Sequence, residues 1–147
     1  MAAPHAADEA SIRQLIGKLA EAIRAMDFEA LKACFAPDMV SFDVGGPPLQ
    51  TVGAEEKLKN WEMAFTVFHP PLGYEIRDLT ITVGDNVAFG HSFNRFSGTS
   101  ENGDRIGPWV RYTAGFRKID GNWVIAHDQV SVPADFASGR ALLDLEP

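Results

Sequence analysis

The chain has 147 residues, 46% of them hydrophobic, and a formal net charge of -7. That length suits a single domain with a real core, spanning residues 1–147. The acidity argues against a nucleic-acid partner, because phosphate binding needs a basic surface, and no basic amphipathic helix offers itself to an anionic membrane.

Cys34 is the lone cysteine, so no internal disulfide can form, and its apolar neighbours predict a buried, inert thiol. No cysteine pair or His-x-x-x-His spacing suggests a metal. The start, MAAPHAADEA, lacks a basic region followed by an apolar run, so no signal peptide is expected. No apolar run approaches the length that spans a bilayer. The expected location is the cytoplasm.

In chain order, residues 1–7 are small and polar and are expected to be disordered. From about Asp8, the apolar residues Ile12, Leu15, Ile16, Leu19, Ile23 and Met26 recur at three- and four-residue steps, which predicts an amphipathic helix. Asp27 reads as the cap of a short second helix carrying Phe28, Leu31 and Phe35, ended by Pro37. Met39 to Asp43 reads as a short strand broken by Gly45-Gly46-Pro47-Pro48. A third helix is predicted from Ala54 to about Phe68, with Leu58, Trp61, Phe65 and Phe68 on one side and His69-Pro70-Pro71 closing it.

The remainder reads as sheet. Tyr74 to Val83 alternates, with a phase slip near Arg77-Asp78. After the turn Gly84-Asp85-Asn86, Val87 to Gly98 forms a strand in which Phe89, His91, Phe93 and Arg95 share a face. Ser97 to Pro108 reads as a loop, and the end of the chain as a polar tail. Between them, Trp109 to Pro133 reads as a hairpin turning near Ile119-Asp120-Gly121-Asn122. Two turns are compatible with it: a two-residue turn on Asp120-Gly121, or a type I turn on Ile119-Asp120 with Gly121 as a left-handed bulge residue. The second is preferred, since Ile119 then keeps a negative φ. It sets Thr113 opposite His127 and Tyr112 opposite Asp128. One face carries Trp109, Arg111, Thr113, His127, Gln129 and Ser131. The other carries Val110, Tyr112, Ala114, Phe116, Val124, Ala126, Asp128 and Val130. Helices first and antiparallel strands later make an α+β pattern, with a long helix laid on a curved sheet and an open end for a small molecule.

FRKIDGNWVIAHDQVSVP resembles the C-terminal signature of SnoaL-like, ketosteroid isomerase-like proteins of the nuclear transport factor 2-like superfamily. DFEALKACFAPDMVSFD and VAFGHSFNRFSGT match in the same order. The resemblance implies a cystatin-like cone: N-terminal helices packed on a strongly curved antiparallel sheet, usually a homodimer through the open sheet face. It also implies isomerase, cyclase or dehydratase chemistry without a metal or organic cofactor, although the fold hosts many activities. In the isomerase pattern Asp43 falls on the general base. The oxyanion donors are missing, with Leu19 and Thr113 or Ala114 at their places. In the pattern of a kinase association domain, Arg95 matches a cavity arginine, which places Phe89, His91, Phe93 and Arg95 inside.

The same mapping turns Tyr112 and Asp128 into the pocket. The candidate catalytic residues are therefore Asp43, Asp128, Tyr112 and His91. Arg95, Trp61, Phe65, Phe93 and Phe116 are candidate ligand contacts, and the expected partner is a small apolar molecule. Each has a plainer reading beside it: an Arg95–Asp128 ion pair, an Asp43 turn cap, a core His91, and core aromatic residues. The competing functions are a proton-transfer enzyme, a non-catalytic binding or dimerisation module, and an epoxide hydrolase with an Asp43–Arg95–Asp128 relay.

Overall fold

The apolar stripe of the first helix needs a surface to cover it, and the sheet provides one. In a computed structural model, which describes residues 4–147, α1 spans Ala6–Ala25 and buries Ile12, Leu15, Ile16, Leu19 and Ile23. Of the stretch expected to be disordered, residues 1–3 lie outside the described residues, and α1 already begins at Ala6. Met26, the last member of the expected stripe, instead caps the helix in a left-handed conformation, with φ 54°.

Asp27 caps α2 (Phe28–Ala33) by accepting a 3.1 Å hydrogen bond from Ala30 N. This satisfies one of the free donors at the helix start. Phe35 does not belong to that helix. It opens strand β1 (Phe35–Phe42), which runs through Pro37. Strand β2 (Thr51–Val52) and helix α3 (Ala54–Val67) follow. Then come β3 (Gly73–Val83), β4 (Val87–Thr99), β5 (Arg105–Ile106), β6 (Trp109–Ile119) and β7 (Asn122–Ser131). Part of the expected loop 97–108 is thus strand, because β4 runs on to Thr99 and β5 pairs back on it. The tail carries a small hairpin, β8 (Ala134–Asp135) with β9 (Arg140–Ala141).

The main sheet has the order β2-β1-β7-β6-β4-β3, with β5 beside β4. Every pairing is antiparallel except β1 with β7. The phase slip expected near Arg77-Asp78 is present as a register shift between Arg77 and Thr80, where Asp78 has φ 57°.

The hairpin differs from expectation in two ways that together shift the pairing by two residues and so preserve the facing beyond the bulge. Ile119 pairs with Asn122, so the turn is the two-residue one, with φ 50° at Asp120 and 82° at Gly121. Positive φ at both positions matches the natural twist of the strands, and Asp tolerates it better than most residues. A bulge then lies between the pairs Phe116–Ile125 and Gly115–His127, leaving Ala126 unopposed. Tyr112 consequently faces Val130 rather than Asp128, and Thr113 faces Gln129 rather than His127. Near the turn, Trp123 and Ile125 enter the core in place of Val124 and Ala126. Beyond the bulge, Tyr112, Ala114 and Asp128 lie on the buried side as expected.

Strand β4 has the opposite facing from that expected. Its buried residues are Ala88, Gly90, Ser92 and Asn94, whereas Phe89, His91 and Phe93 are exposed. Alternation along a strand separates two faces but does not say which is inside. The small inner residues leave room for the core: a Cβ on Gly90 would stand 3.5 Å from the Phe116 ring.

Replacing Asp27 by Ala removes the α2 cap. Urea unfolding of Asp27→Ala is expected to show a loss of about 1 kcal/mol. An unchanged midpoint would mean that the cap contributes nothing.

Candidate functional site

Helices α1 and α3 and most of the main strands contribute to one cavity of about 710 Å³, walled by Leu19 of α1, Lys57 and Trp61 of α3, Tyr74, Asn94, Phe96, Tyr112 and Asp128. Lys57, Asn60, Trp61 and Ala64 all line it. Their spacing puts them on one face of α3, so this helix forms a wall.

At one end a charged cluster closes the cavity. The parallel β1–β7 register sets Ser41 beside Asp128, and the Ser41 hydroxyl donates to Asp128 Oδ1. Lys57 Nζ lies 2.6 Å from Asp43 Oδ1, 2.9 Å from Ser41 Oγ and 3.5 Å from Asp128 Oδ2. Asn60 Nδ2 donates to Asp43 Oδ2 at 2.5 Å and to Thr51 Oγ1 at 3.0 Å. The cluster grades from the mouth inward. The Asp43 side chain is 22% exposed, that of Lys57 5%, and that of Asp128 3%.

Two carboxylates share one ammonium here. Burial, the dominant cause, raises the Asp128 pKa above its usual value, and the Asp43 charge adds to that; the pull of Lys57 and the Ser41 hydrogen bond oppose it without cancelling it. Burial also pushes the Tyr112 phenol well up, with the Asp128 charge next in weight, so this hydroxyl stays protonated.

The far wall is aromatic. The Trp61 ring packs against Phe65, Phe96 and Tyr74 at centroid distances of 5.7, 5.4 and 6.4 Å. The Tyr74 hydroxyl accepts a 2.7 Å bond from Asn94 Nδ2, and Asn94 Oδ1 accepts one from Ser92 Oγ at 2.6 Å. Two buried polar atoms have no such partner among the described residues: Tyr112 Oη and Trp61 Nε1.

The structure thus gathers Asp43, Asp128, Tyr112 and Trp61 around one cavity. Phe65 stands behind Trp61 and Phe116 lies in the core. His91, Phe93 and Arg95 are placed elsewhere, on the outer sheet face. His91 sits between Thr80 and Thr113, and Arg95 Nε donates to Gly107 O at 2.8 Å. No Arg95–Asp128 pair exists; the counter-ion is Lys57, which the sequence reading missed. Its only signal was its place three and four residues before Asn60 and Trp61, and a helical lysine ordinarily points to solvent. Cys34 is buried, and desolvation raises its thiol pKa to about 11, as suits an inert side chain. No described helix is long and apolar enough to cross a membrane. Among the described residues no three His, Cys, Asp or Glu side chains group as metal ligands.

A curved, mostly antiparallel sheet with helices enclosing a cavity on one face defines the nuclear transport factor 2-like, cystatin-like class. The SnoaL-like domain family matches residues 12–135, and the chain belongs to that family. It is similar over 96% of its length, and 97% of the other chain, to a nuclear transport factor 2-like protein of unknown function from Pseudomonas putida KT2440, at 32% identity and TM-score 0.85. A cystatin-like protein of unknown function from Nostoc punctiforme shares 21% identity at TM-score 0.74, covering 87% of this chain and 92% of that one. A protein of the same superfamily from Streptomyces avermitilis, provisionally described as a dehydratase, shares 17% identity at TM-score 0.73, covering 85% of this chain and 95% of that one. No curated protein matches the sequence.

The raised Asp128 pKa makes stability depend on pH. Unfolded, this carboxyl titrates near its ordinary 3.8; folded, it keeps its proton to higher pH. The folded state therefore binds more protons in that window, and its stability falls as pH rises through the folded pKa. Asp128→Asn has no such group. In urea titrations from about pH 4 to about pH 8, wild type is expected to lose stability relative to Asp128→Asn. A constant difference would show that Asp128 titrates alike in both states.

Proposed function

We propose that the cavity binds a small, mostly apolar carbonyl compound and moves a proton on it, as an isomerase, cyclase or dehydratase does. Asp128 takes the proton from the carbon next to the carbonyl and returns it at another atom. Tyr112 donates its free hydroxyl hydrogen to the oxygen that gains charge. The observation that carries this reading is the unpartnered Tyr112 hydroxyl in the same cavity as a carboxyl of raised pKa. A raised pKa brings the base closer to working pH, and a donor held ready in a dry cavity needs no reorganisation. Lys57 and Asn60 hold Asp43 at the mouth, where it orients the cluster.

A second reading has its own support. Both carboxylates already lie against Lys57, at 2.6 and 3.5 Å, so the cluster also suits a module that binds without reacting. Hydrogen–deuterium exchange of beta-tetralone in heavy water, followed by NMR, separates the two. Exchange is expected to exceed the buffer rate and to fall by about 100-fold or more in Asp128→Asn and in Tyr112→Phe. Ketone binding with exchange at the buffer rate supports the module.

The outer sheet face suits a second copy of the chain. Phe89 is 53% exposed and Phe93 37%, flanking His91; across the ladder Phe89 faces Gly115, His91 faces Thr113 and Phe93 faces Arg111 of β6. A dimer through this face covers both rings. Sedimentation at micromolar concentration is expected to show a dimer, and Phe93→Glu a monomer. A wild-type monomer would end this assignment.

A further inference from the structure

Two side chains that line the cavity carry buried, unpartnered donors, and the proposed reaction uses one. Tyr112 is 8% exposed and its hydroxyl finds no partner among the described residues. Trp61 Nε1 is in the same condition, although the residue as a whole is only partly buried. Both residues line the same cavity, one from β6 and one from α3. Elsewhere the chain satisfies such groups. Trp123 Nε1, for example, donates to Asp8 Oδ1 at 2.9 Å. A buried donor left without an acceptor is costly, and both an indole N–H and a buried phenol ordinarily find one. The Trp61 ring is held by Phe65, Phe96 and Tyr74, which fixes the direction of its N–H.

From this pair we infer that the ligand is a flat ring compound bearing two oxygen acceptors, one met by Tyr112 and the other by Trp61. The inference rests on the carbonyl reading above and narrows it to dicarbonyl-type compounds. The reacting carbonyl is the one at Tyr112, which shares its surroundings with Asp128. The second oxygen sits against the aromatic wall, where Trp61 fixes the ring's orientation. Trp61 is thus a specificity determinant, and it discriminates through its N–H rather than its ring area. A site built to donate to an acceptor rejects an analogue lacking that acceptor more strongly than a purely apolar wall would.

The test uses two probe series of different oxygen spacing: N-methylphthalimide, N-methylisoindolinone and indane, and para-naphthoquinone, alpha-tetralone and tetralin. Affinities are measured by calorimetry, and indole N–H resonances on nitrogen-labelled protein, with Trp123 as the internal control. At least one dicarbonyl is expected to bind about 3- to 10-fold more tightly than its monocarbonyl partner. It should move the Trp61 N–H resonance downfield and leave that of Trp123 in place. Trp61→Phe, which keeps the ring stack, should erase the dicarbonyl advantage without weakening the monocarbonyl. The inference is overturned if both dicarbonyls bind like their monocarbonyl partners and the Trp61 resonance stays put while Tyr112→Phe still weakens binding; the carbonyl reading then survives alone. If no compound binds, or Tyr112→Phe changes nothing, the carbonyl reading fails and the inference with it. The resonance readout on wild type does not depend on the variants' folding.

Discussion

The site depends on one buried ammonium. Lys57 reaches from α3 between β1 and β7 and touches Asp43, Ser41 and Asp128. Remove its charge in thought, and two carboxylates face each other in a nearly closed space, a costly arrangement unless one takes up a proton. With it, α3 is tied to β1 and β7 through buried contacts at Ser41 and Asp128. A buried ion pair of this kind is weak evidence for stability, because desolvation offsets its attraction. What it fixes is position: Asp43 at the mouth, Asp128 deeper, and the indole of Trp61 one helical turn further along α3.

That anchoring also explains how one cavity holds two different walls. The polar end draws on Ser41, Asp43, Lys57 and Asp128, the aromatic end on Trp61 and Phe96, with Phe65 packed against both. Tyr112 stands between them, a phenol kept neutral by burial. On the proposed reading, a ligand that is mostly ring with an oxygen at its edge fits both ends, and a uniformly apolar one leaves the donors unmet.

Much of the fold was legible in the sequence, because its signals are local or periodic. The stripe from Ile12 to Ile23, the Asp27 cap and the Arg77-Asp78 slip each follow from spacing or turn chemistry. The hairpin shows where such signals stop. Asp120-Gly121 announces a turn, yet two registers suit it, and the bulge at Ala126 carries no sequence mark. In β4 the match of Arg95 to a cavity arginine turned Phe89 and Phe93 inward, whereas the core has small residues at Ala88 and Gly90. The candidate site was half legible. Asp43, Asp128, Tyr112 and Trp61 do line one cavity; Asp43 was singled out by the isomerase resemblance, and Asp128 and Tyr112 because polar residues on an apolar face stand out. Lys57 was not, because nothing local distinguishes a buried lysine from a solvated one.

The single parallel pairing, β1 with β7, has a consequence for the order of assembly. Ser41 and Asp128 are separated by 87 positions in the chain, yet they are neighbours in the sheet. Contacts of such long range close late, since the entropy of the intervening loop must be overcome first. During synthesis α1, α2, β1 and α3 emerge before β7 exists, so Lys57 and Asp43 can meet on the nascent chain without Asp128. The charged cluster is therefore completed only when the last long strand docks. A chain stalled before β7 has a half-cluster and lacks Asp128 and Val130 of the cavity wall.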